Sequence, residues 1–169
     1  MPTFLVEDGT GLALATSYVD EAFADDYLGA SWAADSAAKE AALMSATEYA
    51  EARWGHLLKG RPLISEQNLE LPRRSLYDRY GRLIEGVPTD WKKAVTLYAK
   101  ESVDSTLYPT PPSGSAKEVK KKKTVVGPIT TETEYLGVAT ASTYLDFPLA
   151  DRLARQFTVS SGGGGVMRN

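Results

Sequence analysis

Between Gly55 and Pro88 the chain is interrupted by Gly60, Pro62, Pro72, Gly81 and Gly86. Proline fixes φ and removes a backbone donor, and glycine costs conformational entropy in any regular element. No long helix or strand can therefore cross this stretch. A connection of this length inside a compact domain is unusual, and such loops tend to carry function. Regular structure is left to the flanking segments, three of which space their apolar residues as helices do.

The first expected helix covers about 18–30. Ser17 is its candidate N-cap, Asp20 and Glu21 sit in the first turn, and Ala22, Phe23, Tyr27 and Leu28 follow at helical spacing. The second covers about 36–54, with Ser36 as candidate cap, an apolar stripe of Ala42, Leu43, Ala46, Tyr49, Ala50 and Trp54, and Gly55 as the stop. The third covers about 88–107. It opens at Pro88 and shows Val87, Trp91, Val95, Tyr98, Ala99, Ser102 and Val103 on one face. Leu43, Ala46, Trp91, Val95 and Tyr98 are the expected core.

Beyond these, residues 109–123 read as a Pro/Gly/Ser/Lys-rich linker. Residues 124–147 are rich in threonine and β-branched residues and read as an extended, β-like arm, with a turn near 137–142. Residues 148–169 read as a short helix with Leu149, Leu153 and Phe157 on one face, then a flexible glycine tail. The fold class is mainly α: a small helical bundle over 1–108, containing the irregular loop 55–87, with an extended arm and a tail.

Several chemistries are excluded. The chain has no cysteine and a single histidine, His56, so disulfides, thiol nucleophiles, Cys-ligated metals and His-cluster metal sites all fall away. No apolar run reaches the roughly 20 residues that span a bilayer, and no basic leader precedes an apolar N-terminal stretch. The expectation is a protein made in the cytoplasm, or assembled there into something larger. Asp25 and Asp26, with Asp20 and Glu21, are better read as a solvated acidic face than as a paired-carboxylate site, because adjacent helical residues point apart. His56 lacks a recognisable nucleophile beside it. Nothing in the sequence spells an enzyme, and no cofactor is expected.

Charge is distributed unevenly. Residues 1–50 hold nine acids and one base, Lys39; residues 51–123 hold fifteen bases and nine acids; residues 124–169 hold three bases and four acids, for a net charge of −3. Such a chain can meet its neighbour acidic face to basic face, or offer a basic surface to nucleic acid. Two basic features are candidates for contact with DNA or a partner. One is Arg73, Arg74 and Arg79, with Arg82 and the aromatic Tyr77 and Tyr80, a mixture found in single-strand binders. The other is the run Lys120, Lys121, Lys122 and Lys123, which suits either phosphate contact or a solubilising loop.

The stretch Val6-Glu7-Asp8-Gly9-Thr10-Gly11-Leu12, followed by Ala15-Thr16-Ser17-Tyr18-Val19-Asp20, resembles the opening of tailed-phage head-to-tail adaptor proteins, also called connector or head completion proteins. Ala41 to Tyr49, Leu69-Glu70-Leu71-Pro72-Arg73, Val87-Pro88 with Trp91, Lys92 and Ala94, and Val126-Gly127-Pro128-Ile129 resemble further parts of that family. Leu71 stands where the family usually has tryptophan. Some members carry the label of a DnaT-like single-stranded-DNA-binding protein. The resemblance implies a helical virion protein that forms a ring, usually a dodecamer, beneath the portal at the head–tail junction. Such a ring extends the channel for packaged double-stranded DNA and docks a tail-side neck or tail terminator protein. With it comes the expectation that the C-terminal segment Gly162, Gly163, Gly164, Gly165, Val166, Met167, Arg168 and Asn169 binds the portal. The alternative is a single-stranded-DNA-binding or replication accessory protein.

Overall fold

A computed structural model describes residues 3–78, 80–108, 121–126, 129–134 and 145–159. Its elements are, in order, α1 (Glu21–Leu28), α2 (Ser36–Trp54), a 3-10 turn (Gly55–Leu57), β1 (Arg61–Pro62), β2 (Arg73–Arg74), α3 (Thr89–Asp104), β3 (Lys121–Val126), β4 (Ile129–Glu134) and α4 (Pro148–Arg155). The chain is mainly helical, as the spacing predicts. It divides into two compact units: residues 1–107 with 146–169, and residues 108–145.

In the first unit α2 packs chiefly on α3, α4 covers α3, and α1 leans on both α3 and α2. The expected apolar stripe of α2 is buried throughout, and Leu43, Ala46, Trp91, Val95 and Tyr98 are fully buried. Alanine at Ala42, Ala46 and Ala50 lets the helices approach closely. Aromatic edges fill the rest. Tyr49 and Tyr98 meet edge to face at 5.0 Å, and Phe147 packs edge-on against both.

The helix starts differ from the sequence reading. Asp20 caps α1, its carboxylate accepting from the Phe23 amide at 2.7 Å. Ser17 is drawn inward instead, its hydroxyl donating to the Val19 carbonyl and accepting from the Val19 amide. Asp35, one residue before Ser36, caps α2 by accepting from the Ala38 amide. In both places an ionised carboxylate facing the positive end of the helix is the better cap.

Of the expected face of the last helix, Phe157 is buried and Leu153 half-buried, but Leu149 does not join them. Leu149 is 60% exposed, while Ala150, Asp151 and Ala154 turn inward. The reason is Asp151, which pairs with Arg53 of α2 at 2.7 Å and accepts from the Tyr98 hydroxyl at 2.7 Å. Arg53 in turn donates to the Tyr49 hydroxyl at 2.5 Å, and Trp54 donates to Tyr98 at 3.0 Å. One buried network thus locks α2, α3 and α4 together.

In the second unit β3 and β4 form an antiparallel hairpin, with Lys121 opposite Glu134 and Val126 opposite Ile129. The strand takes in Lys121, Lys122 and Lys123, which composition alone groups with the linker. Residues 109–120, the turn near 137–142 and the tail 160–169 lie outside the described residues.

Candidate functional site

The irregular stretch between α2 and α3 is built on three internal supports. At its start, the segment after α4 returns to it: Lys59 donates to the Phe157 carbonyl at 3.0 Å and Val159 to that of Leu57 at 2.8 Å. In its middle stands the N-terminal turn. The Glu7 carboxylate, 1% exposed, accepts from the amides of Gly9, Gly11 and Leu12 at 2.8–2.9 Å. Asn68 then ties this turn to the loop through Leu12 and Ala15. Gly9 lies so close to Gly86 that an added Cβ would stand 3.2 Å from the Gly86 Cα.

The third support is a carboxylate cluster under the loop. Tyr18 donates to Glu51 of α2 and accepts from the Leu71 amide, while Glu51 also accepts from the Glu70 amide at 2.9 Å. Burial pushes the Glu51 carboxyl up to about 7, with nearby Glu70 adding to the rise and Arg73 and the two donors opposing it. Burial also raises the Tyr18 hydroxyl well above its ordinary range. Tyr18 meets Trp91 of α3 edge to face at 6.0 Å, so one side chain links the N-terminal segment, the loop and the third helix. Leu71 is fully buried in its place. Sequence reasoning missed Glu51, whose only signal is its place beside the apolar stripe of α2.

The loop arginines separate into two kinds. Arg73 pairs with Glu70 and donates to the Gly60 carbonyl at 3.1 Å. Arg82 pairs with Asp78 at 2.7 Å and lies over the Tyr80 ring. Asp78 also accepts from the Tyr80 and Arg82 amides, and the Arg82 bonds hold its carboxyl below the usual carboxylate range. These two cations are neutralised within the loop. Arg61 and Arg74 are exposed, and the β1–β2 register sets them opposite each other. Tyr77 and Tyr80 are exposed.

Arg79, Lys120 and Gly162 to Asn169 lie outside the described residues; Lys121, Lys122 and Lys123 lie on β3 of the second unit. The fold therefore brings Arg73 and Arg74 together with Arg61. His56 is exposed on the 3-10 turn. Asp25 is engaged with Lys39 at 2.8 Å and with the Trp32 ring nitrogen at 2.8 Å, and Glu21 with Lys39 at 3.2 Å, so these two acids of α1 serve an ion pair to α2, while Asp26 is exposed. Among the described residues no group of three or more His, Cys, Asp or Glu is placed to hold a metal ion, and no helix is long and apolar enough to cross a membrane.

No curated protein and no solved structure matches the chain significantly. A family model does match, over residues 2–169, and its description is "Putative DnaT-like ssDNA binding protein". With nearly the whole length matched, the chain belongs to that family.

Proposed function

We propose that this member of the family is a structural, non-catalytic protein of the tailed-phage neck. In this reading it is a head-to-tail adaptor that assembles as a ring beneath the portal, extends the DNA channel and offers the docking surface for a tail-side protein. One observation carries the reading. The segments of the adaptor resemblance, 6–12, 69–73 and 87–94, are far apart in sequence yet meet in one framework. Glu7 closes the first around its own amides, Tyr18 reaches the Leu71 amide of the second, and the same ring packs on Trp91 of the third. A framework of this kind supports the reading of these motifs as a scaffold that presents a surface. The acidic first fifty residues and the basic middle suit head-to-tail contacts between copies, which close into a ring when the rotation is right.

The second reading is single-stranded-DNA binding, and the family's description favours it. The exposed Tyr77 and Tyr80, and the exposed Arg61 and Arg74 elsewhere in the same loop, suit it as well. Its tight form is opposed by the internal use of Arg73 and Arg82.

The two readings part experimentally. Purified protein is mixed with portal-bearing, DNA-filled heads lacking it, and occupancy is measured after sedimentation. The adaptor reading expects stable attachment, lost on deletion of 162–169 without change in the helical fold. Heads that stay bare would sink it, and attachment at wild-type occupancy by the truncated chain would remove the tail from the interface. In a separate titration, a labelled oligonucleotide bound well below about 1 μM at physiological salt would put the second reading first.

A further inference from the structure

The loop holds a like-charge pair with no internal explanation. Arg61 of β1 and Arg74 of β2 are direct register partners. Facing residues of an antiparallel pair have Cβ atoms about 5 Å apart, and like charges placed there destabilise the pair. Neither side chain has an ion-pair or hydrogen-bond partner among the described residues, while their neighbours Arg73 and Arg82 both do. The backbone nevertheless forces them together. Gly60, at φ 80°, lets the Arg74 carbonyl approach so closely that an added Cβ would stand 2.4 Å from it. Arg73 clamps the same place by holding the Gly60 carbonyl while pairing with Glu70.

Both arginines line an open groove of about 1010 Å³, whose walls include Pro62, Leu63, Ile64, Ser65 and Ser75. Two guanidiniums side by side match the oxygens of a phosphate, and charge-assisted bonds of this type are roughly twice as strong as neutral ones. The hydroxyl of Ser75 and the apolar wall at Ile64 suit a sugar–phosphate strand better than a flat helix face. Glu66 also lines the groove, and the Ser65 hydroxyl holds its carboxyl below the usual range. It therefore opposes an anion there.

We infer that the Arg61–Arg74 pair is an anion site that takes a backbone phosphate of nucleic acid. The inference rests on the chain facing DNA, as it does in both readings above, and it names the residues that make the contact. A pair of arginines gives a weak site per chain, in the non-specific range of about 10⁻⁴–10⁻⁶ M, and copies in a ring would add their contacts.

The test is fluorescence anisotropy of a labelled oligothymidylate across a sodium chloride series, with four variants of the full chain. The pair variant R61Q/R74Q should weaken binding at least tenfold and flatten the log–log salt slope by about 0.7 or more, the share of one neutralised phosphate on a single strand. E66Q should tighten it several-fold. R82Q, which removes one charge from an internally paired arginine, should change it less than twofold, well under half the effect of the pair variant on a logarithmic scale. R73Q reports on the clamp and should weaken binding less than the pair variant. Circular dichroism and thermal melting follow each protein. R61Q/R74Q should melt no lower than wild type, because repulsion is relieved.

Equal losses for R61Q/R74Q and R82Q would overturn the site in favour of diffuse charge. So would unchanged binding by R61Q/R74Q, or no binding by the wild type. A change in oligomeric state by sedimentation without any loss of oligonucleotide binding would overturn it too, and would give the pair to a contact between copies. Head attachment is read separately, so failure of this site and failure of the adaptor reading are distinguishable.

Discussion

Glu51 makes the stability of the fold depend on pH in a direction opposite to that of most carboxylates. Its carboxyl is pushed up to about 7 by burial, against an ordinary 4.5. Between those values the folded chain keeps a proton that the unfolded chain has released, so stability falls as pH rises. The contribution is fully present below about 4.5 and lost above about 7. The gap corresponds to about 2–3 kcal/mol once screening at the partly exposed edge of the side chain is allowed for. Urea unfolding followed by tryptophan fluorescence at steps from pH 5 to 8.5 measures it. Wild type should lose about 2–3 kcal/mol across the range. In Glu51→Gln the amide cannot accept from both Tyr18 and the Glu70 amide, so the variant should start about 1 kcal/mol lower at pH 5. It should then stay flat and meet or pass wild type near pH 8. His56, the single histidine, is exposed and stands apart from this cluster on the 3-10 turn. His56→Gln should therefore retain the wild-type slope. A flat wild-type profile, or a slope that survives Glu51→Gln, would refute the assignment.

Three further outcomes follow from the packing. Leu43 is fully buried between α2 and its neighbours, so Leu43→Ala should cost roughly 2–5 kcal/mol in the same urea assay, and a loss below about 0.5 kcal/mol would mean the stripe is not the core. Asp151→Ala leaves Arg53 buried beside Tyr49, with its remaining pairing to the exposed Asp146, and should cost about 3–5 kcal/mol; Arg53→Met with Asp151→Leu should recover much of that loss. Gly60→Ala places a methyl against the Arg74 carbonyl at a positive φ, so it should destabilise the chain by about 1–3 kcal/mol, whereas Gly81→Ala, with open space around it, should cost less.

What the sequence determined by itself is what short-range periodicity encodes. The 3–4 residue spacing from Ala42 to Trp54 and from Trp91 to Ala99 is enough to place α2, α3 and the residues they bury, because an amphipathic face has nowhere else to go. The density of proline and glycine marks the loop between them. Tertiary structure alone decided which charges are spent and which are left over. Arg73, Arg74 and Arg82 look equivalent in sequence, yet Glu70, Gly60 and Asp78 neutralise the first and last and leave Arg74 facing Arg61. Asp151 overrides the leucine face of α4 because its partners, Arg53 and Tyr98, lie 98 and 53 residues away. Glu51 is an ordinary helical glutamate until Tyr18 and the loop close over it. Hydrophobic patterning is a property of neighbours along the chain. Ion pairing and desolvation depend on partners that only the folded chain brings into contact, and it is there that the candidate DNA-facing surface is set.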